Sequence, residues 1–188
     1  MEITTEQGQT LLGYARRIIA LKLGRTELAQ KTEYPEVFRQ RGATFVTLKK
    51  RGQLRGCIGN LEPVGSIWDG IRDNALNAAF HDLRFLPLKA EELDEIHIDI
   101  SLLSPAVLLE YTDGPDLLAK LRPGLDGVIL RSGPSQSTFL PQVWQQLPHA
   151  EDFLNQLCRK AGLHESAWRD MHPKIWTYQV VCFSEEAA

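Results

Sequence analysis

The sequence predicts an α+β fold: duplicated hairpin–helix–strand units on antiparallel β-sheet, with helices packed on the sheet. Three observations predict it. Apolar residues recur at helical spacing in three separate stretches. Short apolar or alternating runs stand between them, bounded by glycine, proline and serine. The order hairpin, helix, strand also occurs twice, offset by about 80 residues.

Residues 4–23 form an amphipathic helix. Thr4 or Thr5 can cap it, and Leu11, Leu12, Ala15, Ile18, Ile19 and Leu23 recur near helical spacing. Gly24 is a natural stop. Residues 25–42 are polar, contain Pro35 and read as a loop. Residues 43–48 and 53–61 read as a hairpin about Lys50-Arg51-Gly52. Residues 64–80 form a helix with Ile67, Trp68, Ile71, Ala75, Ala78 and Ala79 on or near one face. Residues 85–88 are an extended apolar link. Residues 96–103 alternate as a strand, which Ser104-Pro105 ends.

The second half repeats the order. Residues 127–131 and 137–140 make a hairpin through Ser132-Gly133-Pro134-Ser135. Residues 151–161 are a helix and 175–183 a strand. The expectation is a single domain over 1–188. It has an N-terminal helix and two repeats, at about 40–105 and 124–184, that share one antiparallel sheet.

Composition narrows the function classes. The chain has 21 basic and 24 acidic residues, a net charge of −3, so no concentrated basic footprint for nucleic acid is expected. Lys49-Lys50-Arg51 reads as a solvated turn. No apolar stretch approaches the roughly 20 residues that cross a bilayer, and the N-terminus lacks signal-peptide character. Three cysteines are too few and too odd for a disulfide scaffold, which points to the cytoplasm. No CxxC pair or clustered His/Cys set exists, so no metal site is expected, and no motif names a cofactor.

Leu54-Arg55-Gly56-Cys57-Ile58-Gly59 carries the densest chemistry. On a regular strand, Arg55 and Cys57 share a face, about 7 Å apart. A guanidinium there favours the reactive thiolate, and Gly56 and Gly59 leave backbone room for a ligand. The plain alternative is a small buried residue in a sheet. Asp82 and Arg84, after the second helix, can orient a ligand or simply brace the turn. His81 is a weaker candidate for a base. Asn60 and Gln142 can supply polar contacts. Cys158 and Cys182 fall on apolar faces and read as core, and Asp126 reads as a turn residue between glycines.

The same six residues resemble the signature of the AMMECR domain family, whose prokaryotic members are called AmmeMemoRadiSam system protein A. Further blocks share the likeness: Thr44 to Lys50, Asp82-Leu83-Arg84-Phe85 with Pro87-Leu88, and Ile100 to Pro105. Gly124 to Val128, Phe139 to Val143, and Phe153 to Gly162 complete it, over about residues 10–183. Leu83 stands where the family pattern has proline. The resemblance implies a duplicated α+β unit on antiparallel sheet. It also implies association with a Memo-like protein and a radical-SAM enzyme. This chain lacks a Cys-x-x-x-Cys-x-x-Cys run and is not the radical-SAM member.

The expected function is a cytoplasmic enzyme or enzyme component acting on a small molecule near Cys57. Arg55, Gly56, Gly59, Asn60, Asp82, Arg84 and Gln142 would surround the ligand in a cleft between the repeats. The alternative is a non-catalytic ligand-binding or protein-interaction adaptor.

Overall fold

Helix α1 (Thr5–Lys22) starts where the sequence places it, because Thr4 closes a capping box. The Thr4 hydroxyl accepts from the Gln7 N–H, and the Gln7 side chain accepts from the Thr4 N–H. It stops at Gly24, whose φ of 68° lets the Arg25 N–H turn back to the Ala20 carbonyl. The computed structural model describes residues 3–25 and 35–185. Half of the expected 25–42 loop, residues 26–34, lies outside the described residues, and Glu36–Arg39 forms a 3-10 turn.

Strands β1 (Ala43–Lys50) and β2 (Gln53–Gly59) are joined by Arg51 and Gly52, both at positive φ. That is the twist-matched geometry of a two-residue hairpin turn. Helix α2 (Ile67–Phe80) begins later than 64 because Ser66 caps it, its hydroxyl accepting from the Asp69 N–H. Strand β3 (Ile96–Leu103) pairs antiparallel with β1, and β8 (Val180–Ser184) completes a sheet of order β2-β1-β3-β8. One face of that sheet buries Val46, Leu48, Ile98 and Ile100. They join a core with Leu11, Ala15 and Ile19 of α1 and Ile71, Ala75 and Ala78 of α2.

The second unit holds β4 (Val107–Leu108), α3 (Gly114–Lys120), β5 (Gly127–Ser132), β6 (Ser135–Phe139), α4 (Ala150–Lys160), α5 (Ala167–Asp170) and β7 (Lys174–Tyr178). Its sheet order is β4-β7-β5-β6. Its core joins Leu117, Val128, Leu130, Trp144, Phe153, Leu157, Cys158, Trp168 and Ile175. In both units the first hairpin strand lies in the middle, and the strand after the helix pairs beside it.

Two expectations are corrected. The strands form two four-stranded sheets, not one shared sheet. The strand expected at 175–183 breaks at Gln179, where Ser104 exchanges hydrogen bonds with the Gln179 main chain. β7 then belongs to one sheet and β8 to the other. The chain accordingly divides into Met1–Leu103 with Val181–Ala188, and Ser104–Val180.

Candidate functional site around Cys57

The pairing of β1 with β2 slips between Leu48 and Lys49. Leu48 faces Gly56 and Lys49 faces Leu54, so Arg55 has no partner across the strand. This is a β-bulge, and its extra residue breaks the simple alternation. Arg55 therefore does not share a face with Cys57, contrary to the sequence expectation. Instead it forms a bidentate pair with Glu92, Nε to Oε1 at 3.1 Å and Nη2 to Oε2 at 3.0 Å, and its guanidinium lies 5.9 Å from the Phe85 ring centre. Lys50 Nζ also reaches Glu92, at 3.2 Å. The Arg55 hydrogen bonds, helped by the Lys89 N–H and Lys50, hold the Glu92 carboxyl down to about 2.

Arg55→Ala should cost about 2 kcal/mol, since a mostly buried carboxylate keeps only Lys50 and a backbone donor. The Glu92 contribution is fully present above its unfolded pKa, near pH 4.5, and is lost as pH falls through about 2. Urea titrations across that window should show a shallower acid limb in the variant. An unchanged limb would refute the pairing as a source of stability.

Cys57 faces away from the helices. It pairs with Thr47, and Thr47 pairs with Asp99 on β3, so the three form one row across the sheet. Thr47 Oγ1 donates to Cys57 Sγ at 3.2 Å, which orients the thiol. Lys49 Nζ lies 2.6 Å from Asp99 Oδ2, and His97 Nε2 lies 3.5 Å from Asp99 Oδ1. Asp99 Oδ1 is buried and accepts no hydrogen bond. A buried carboxylate oxygen without a full hydrogen bond is costly, and His97 Nε2 is the ring nitrogen that stands beside it. Further along the same strand, Ser101 Oγ stands 3.4 Å from Cys182 Sγ.

The open edge of β2 carries a second construction. The Cys57 N–H donates to Asp82 Oδ2 at 2.9 Å, and Arg84 Nη2 donates to the Cys57 carbonyl at 3.1 Å. Arg84 also grips Asp82 through Nε at 2.9 Å and Nη2 at 2.7 Å. These charge-assisted bonds, from Arg84 first and then from the Cys57 and Arg84 main chains, hold the Asp82 carboxyl below the usual carboxylate range. Asp82 and Arg84 thus do to Cys57 what a neighbouring strand would do. Both were expected to hold a ligand, and here they hold the main chain of the cysteine.

The glycines also have occupants for the room they leave. A Cβ on Gly56 would stand 2.1 Å from the Ala78 carbonyl oxygen of α2, and one on Gly59 would stand 2.2 Å from the Phe45 ring. That space is filled by protein rather than kept for a ligand. Asn60 donates its N–H to the Thr44 carbonyl and exposes its side chain. Gln142 sits exposed in a 3-10 turn of the second unit, Pro141–Gln145. His81 is an exposed helix C-cap. Cys158 is buried, but Cys182 is exposed and is not core. Asp126, read as a turn residue, is buried and accepts from Arg122.

The structure sets Asp82 and Arg84 against the Cys57 main chain, and it places Thr47, Lys49, His97 and Asp99, which the sequence reading did not single out as site residues, on one face of the sheet. Counting back from the Arg51-Gly52 turn without the bulge would set Thr47 opposite Gly56, so the sequence carries no signal for the Thr47–Cys57 row. Among the described residues no His, Cys, Asp and Glu cluster could hold a metal ion, and no helix is long and apolar enough to cross a membrane.

A family model described as AMMECR1 matches residues 12–183. A protein of Methanothermobacter thermautotrophicus is 39% identical over 186 residues, covering 98% of this chain and 97% of its own. Protein MJ0810 of Methanocaldococcus jannaschii is 34% identical over 97% of this chain and 92% of its own. The crystal structure of the uncharacterized protein PH0010 of Pyrococcus horikoshii superposes with a TM-score of 0.83 at 32% identity, covering 99% of this chain and 95% of that one.

Proposed function

This chain belongs to the AMMECR1 family, and from that premise we propose that it is a cytoplasmic enzyme or enzyme component that takes a small molecule on the sheet face bearing Cys57. The observation that carries the reading is the row across the sheet in which Thr47 Oγ1 holds the half-buried Cys57 thiol at 3.2 Å and Asp99, one strand further, pairs with Lys49. Lys49 beside it offers a cation, and Cys57 a nucleophile that Thr47 already orients. Thiols outside any disulfide agree with a reducing compartment. The partners in this reading are a Memo-like protein and a radical-SAM enzyme, as the family likeness implies.

One observation favours the adaptor alternative. Leu83 and Leu86 stand at 101% and 80% exposure on the loop that the Asp82–Arg84 pair pins in place. Ordered, exposed leucines serve a protein contact better than they serve chemistry.

Alkylation separates the two readings. Exposure alone ranks Cys182 ahead of Cys57, with Cys158 last. A functional thiol reverses the first two. Brief treatment with substoichiometric iodoacetamide near pH 6.5, followed by peptide mass spectrometry, should find Cys57 modified first. Cys182 modified before Cys57 would remove the case for an enzyme and leave the adaptor.

A further inference from the structure

The edge of β2 is covered unevenly. Asn60 donates its N–H to Thr44, so residues 60, 58 and 56 point their main-chain groups inward to β1, while Cys57 and Gly59 point theirs outward. The bulge at Arg55 disrupts the edge before Cys57, and the Asp82–Arg84 pair fills it at Cys57. At Gly59, half-buried at the end of β2, no described residue hydrogen-bonds the outward main-chain groups. An unpaired stretch of edge strand is a template for another chain.

The pair also dictates how such a chain could lie. It occupies the place of the residue that would face Cys57, so an added strand must end there. β2 runs from Gln53 to Gly59. An antiparallel strand paired with Gly59 runs the other way, and its C-terminal end arrives at the pair. Arg84 waits at that end, half exposed, with Nε and Nη2 engaged and Nη1 pointing to no acceptor among the described residues. A guanidinium with a spare nitrogen recognises a carboxylate. A parallel strand would instead bring its ammonium end to Arg84, which repels it.

We propose that the Gly59 edge of β2 binds the extended C-terminal tail of a partner protein. The tail adds as a short antiparallel strand, with its terminal carboxylate on Arg84. The main-chain bonds at Gly59 accept any sequence, and the arginine demands a free C-terminus. This site lies on the strand's edge and does not rest on the small-molecule reading of the sheet face.

The test uses the whole chain and two probes. One is an immobilised pool of randomised hexapeptides with free C-terminal carboxylates. The other is the same pool ending in carboxamides. Retention on the carboxylate pool should be stronger by about tenfold, the worth of one charge-assisted hydrogen bond. With the carboxylate pool in solution, the Gly59 amide resonance should shift in a ¹⁵N spectrum, because its N–H gains an acceptor. Equal retention on both pools, or no retention on either, overturns the proposal. So does binding that leaves the Gly59 amide unmoved.

Discussion

Gly56→Val is expected to destabilise the protein by about 3 kcal/mol, at the upper end of what overpacking costs. The added Cβ would stand 2.1 Å from the Ala78 carbonyl oxygen and 3.0 Å from its carbonyl carbon. The obstacle is helix backbone, which cannot rotate aside as a side chain can. Either α2 shifts off the sheet and opens the core around Ala75 and Ala78, or β2 moves and breaks its pairing with Leu48. Gly59→Val meets the Phe45 ring and the Thr44 carbonyl, and part of that obstacle can swing away, so it should cost less. Urea midpoints for the two variants give the comparison. Near-wild-type stability for Gly56→Val would mean that the helix does not approach the strand as closely as described.

Arg84→Ala is expected to cost about 3 kcal/mol, more than Asp82→Asn does, although Arg84 is much the more exposed of the two. Asp82 has a side-chain exposure of 5% and Arg84 of 56%. Losing the arginine strands a carboxylate with little water and only main-chain donors. Losing the carboxylate charge leaves a guanidinium that solvent can reach, and the loss is nearer a pair of charge-assisted hydrogen bonds, about 2 kcal/mol. The pH dependence follows from the lowered Asp82 carboxyl. Its folded pKa lies below its unfolded one, so the stabilisation is full above about pH 4 and is lost as pH falls further. Arg84→Ala should flatten that acid limb, as measured by chemical denaturation from pH 6 downwards. If Asp82→Asn proves the more damaging variant, the arginine is not what compensates the buried charge.

Much of the frame was legible because it rests on local signals. Thr4, Gly24, Arg51-Gly52 and Ser66 each act through bonds a few residues long, and the elements they bound fall close to expectation. The break at Gln179 was not legible, because Val180 to Phe183 reads as a continuation of the strand before it. Only the distant edges of β3 and β5 decide which half of the segment goes where. The site shows the same division. Cys57, Asp82 and Arg84 stood out by residue type. The facing of Arg55 did not, since a bulge is invisible to a period-two count. Asp99 looked like the polar position of any strand until its oxygen proved to be buried without a full hydrogen bond.

The return of β8 to the first sheet has a consequence for synthesis. Residues 104–180 form a contiguous unit that holds both hairpin strands, their helix and the strand that pairs beside them. As the chain leaves the ribosome, that unit has everything it needs before the first one does. The earlier-made sheet must wait, with the outer edge of β3 bare, for Val181 to Phe183. It waits also for Glu185, whose carboxylate clasps Arg16 and accepts from the Ile98 N–H. The half of the protein translated first is therefore the half finished last, and its exposed edge is the part of the nascent chain most in need of shelter from aggregation.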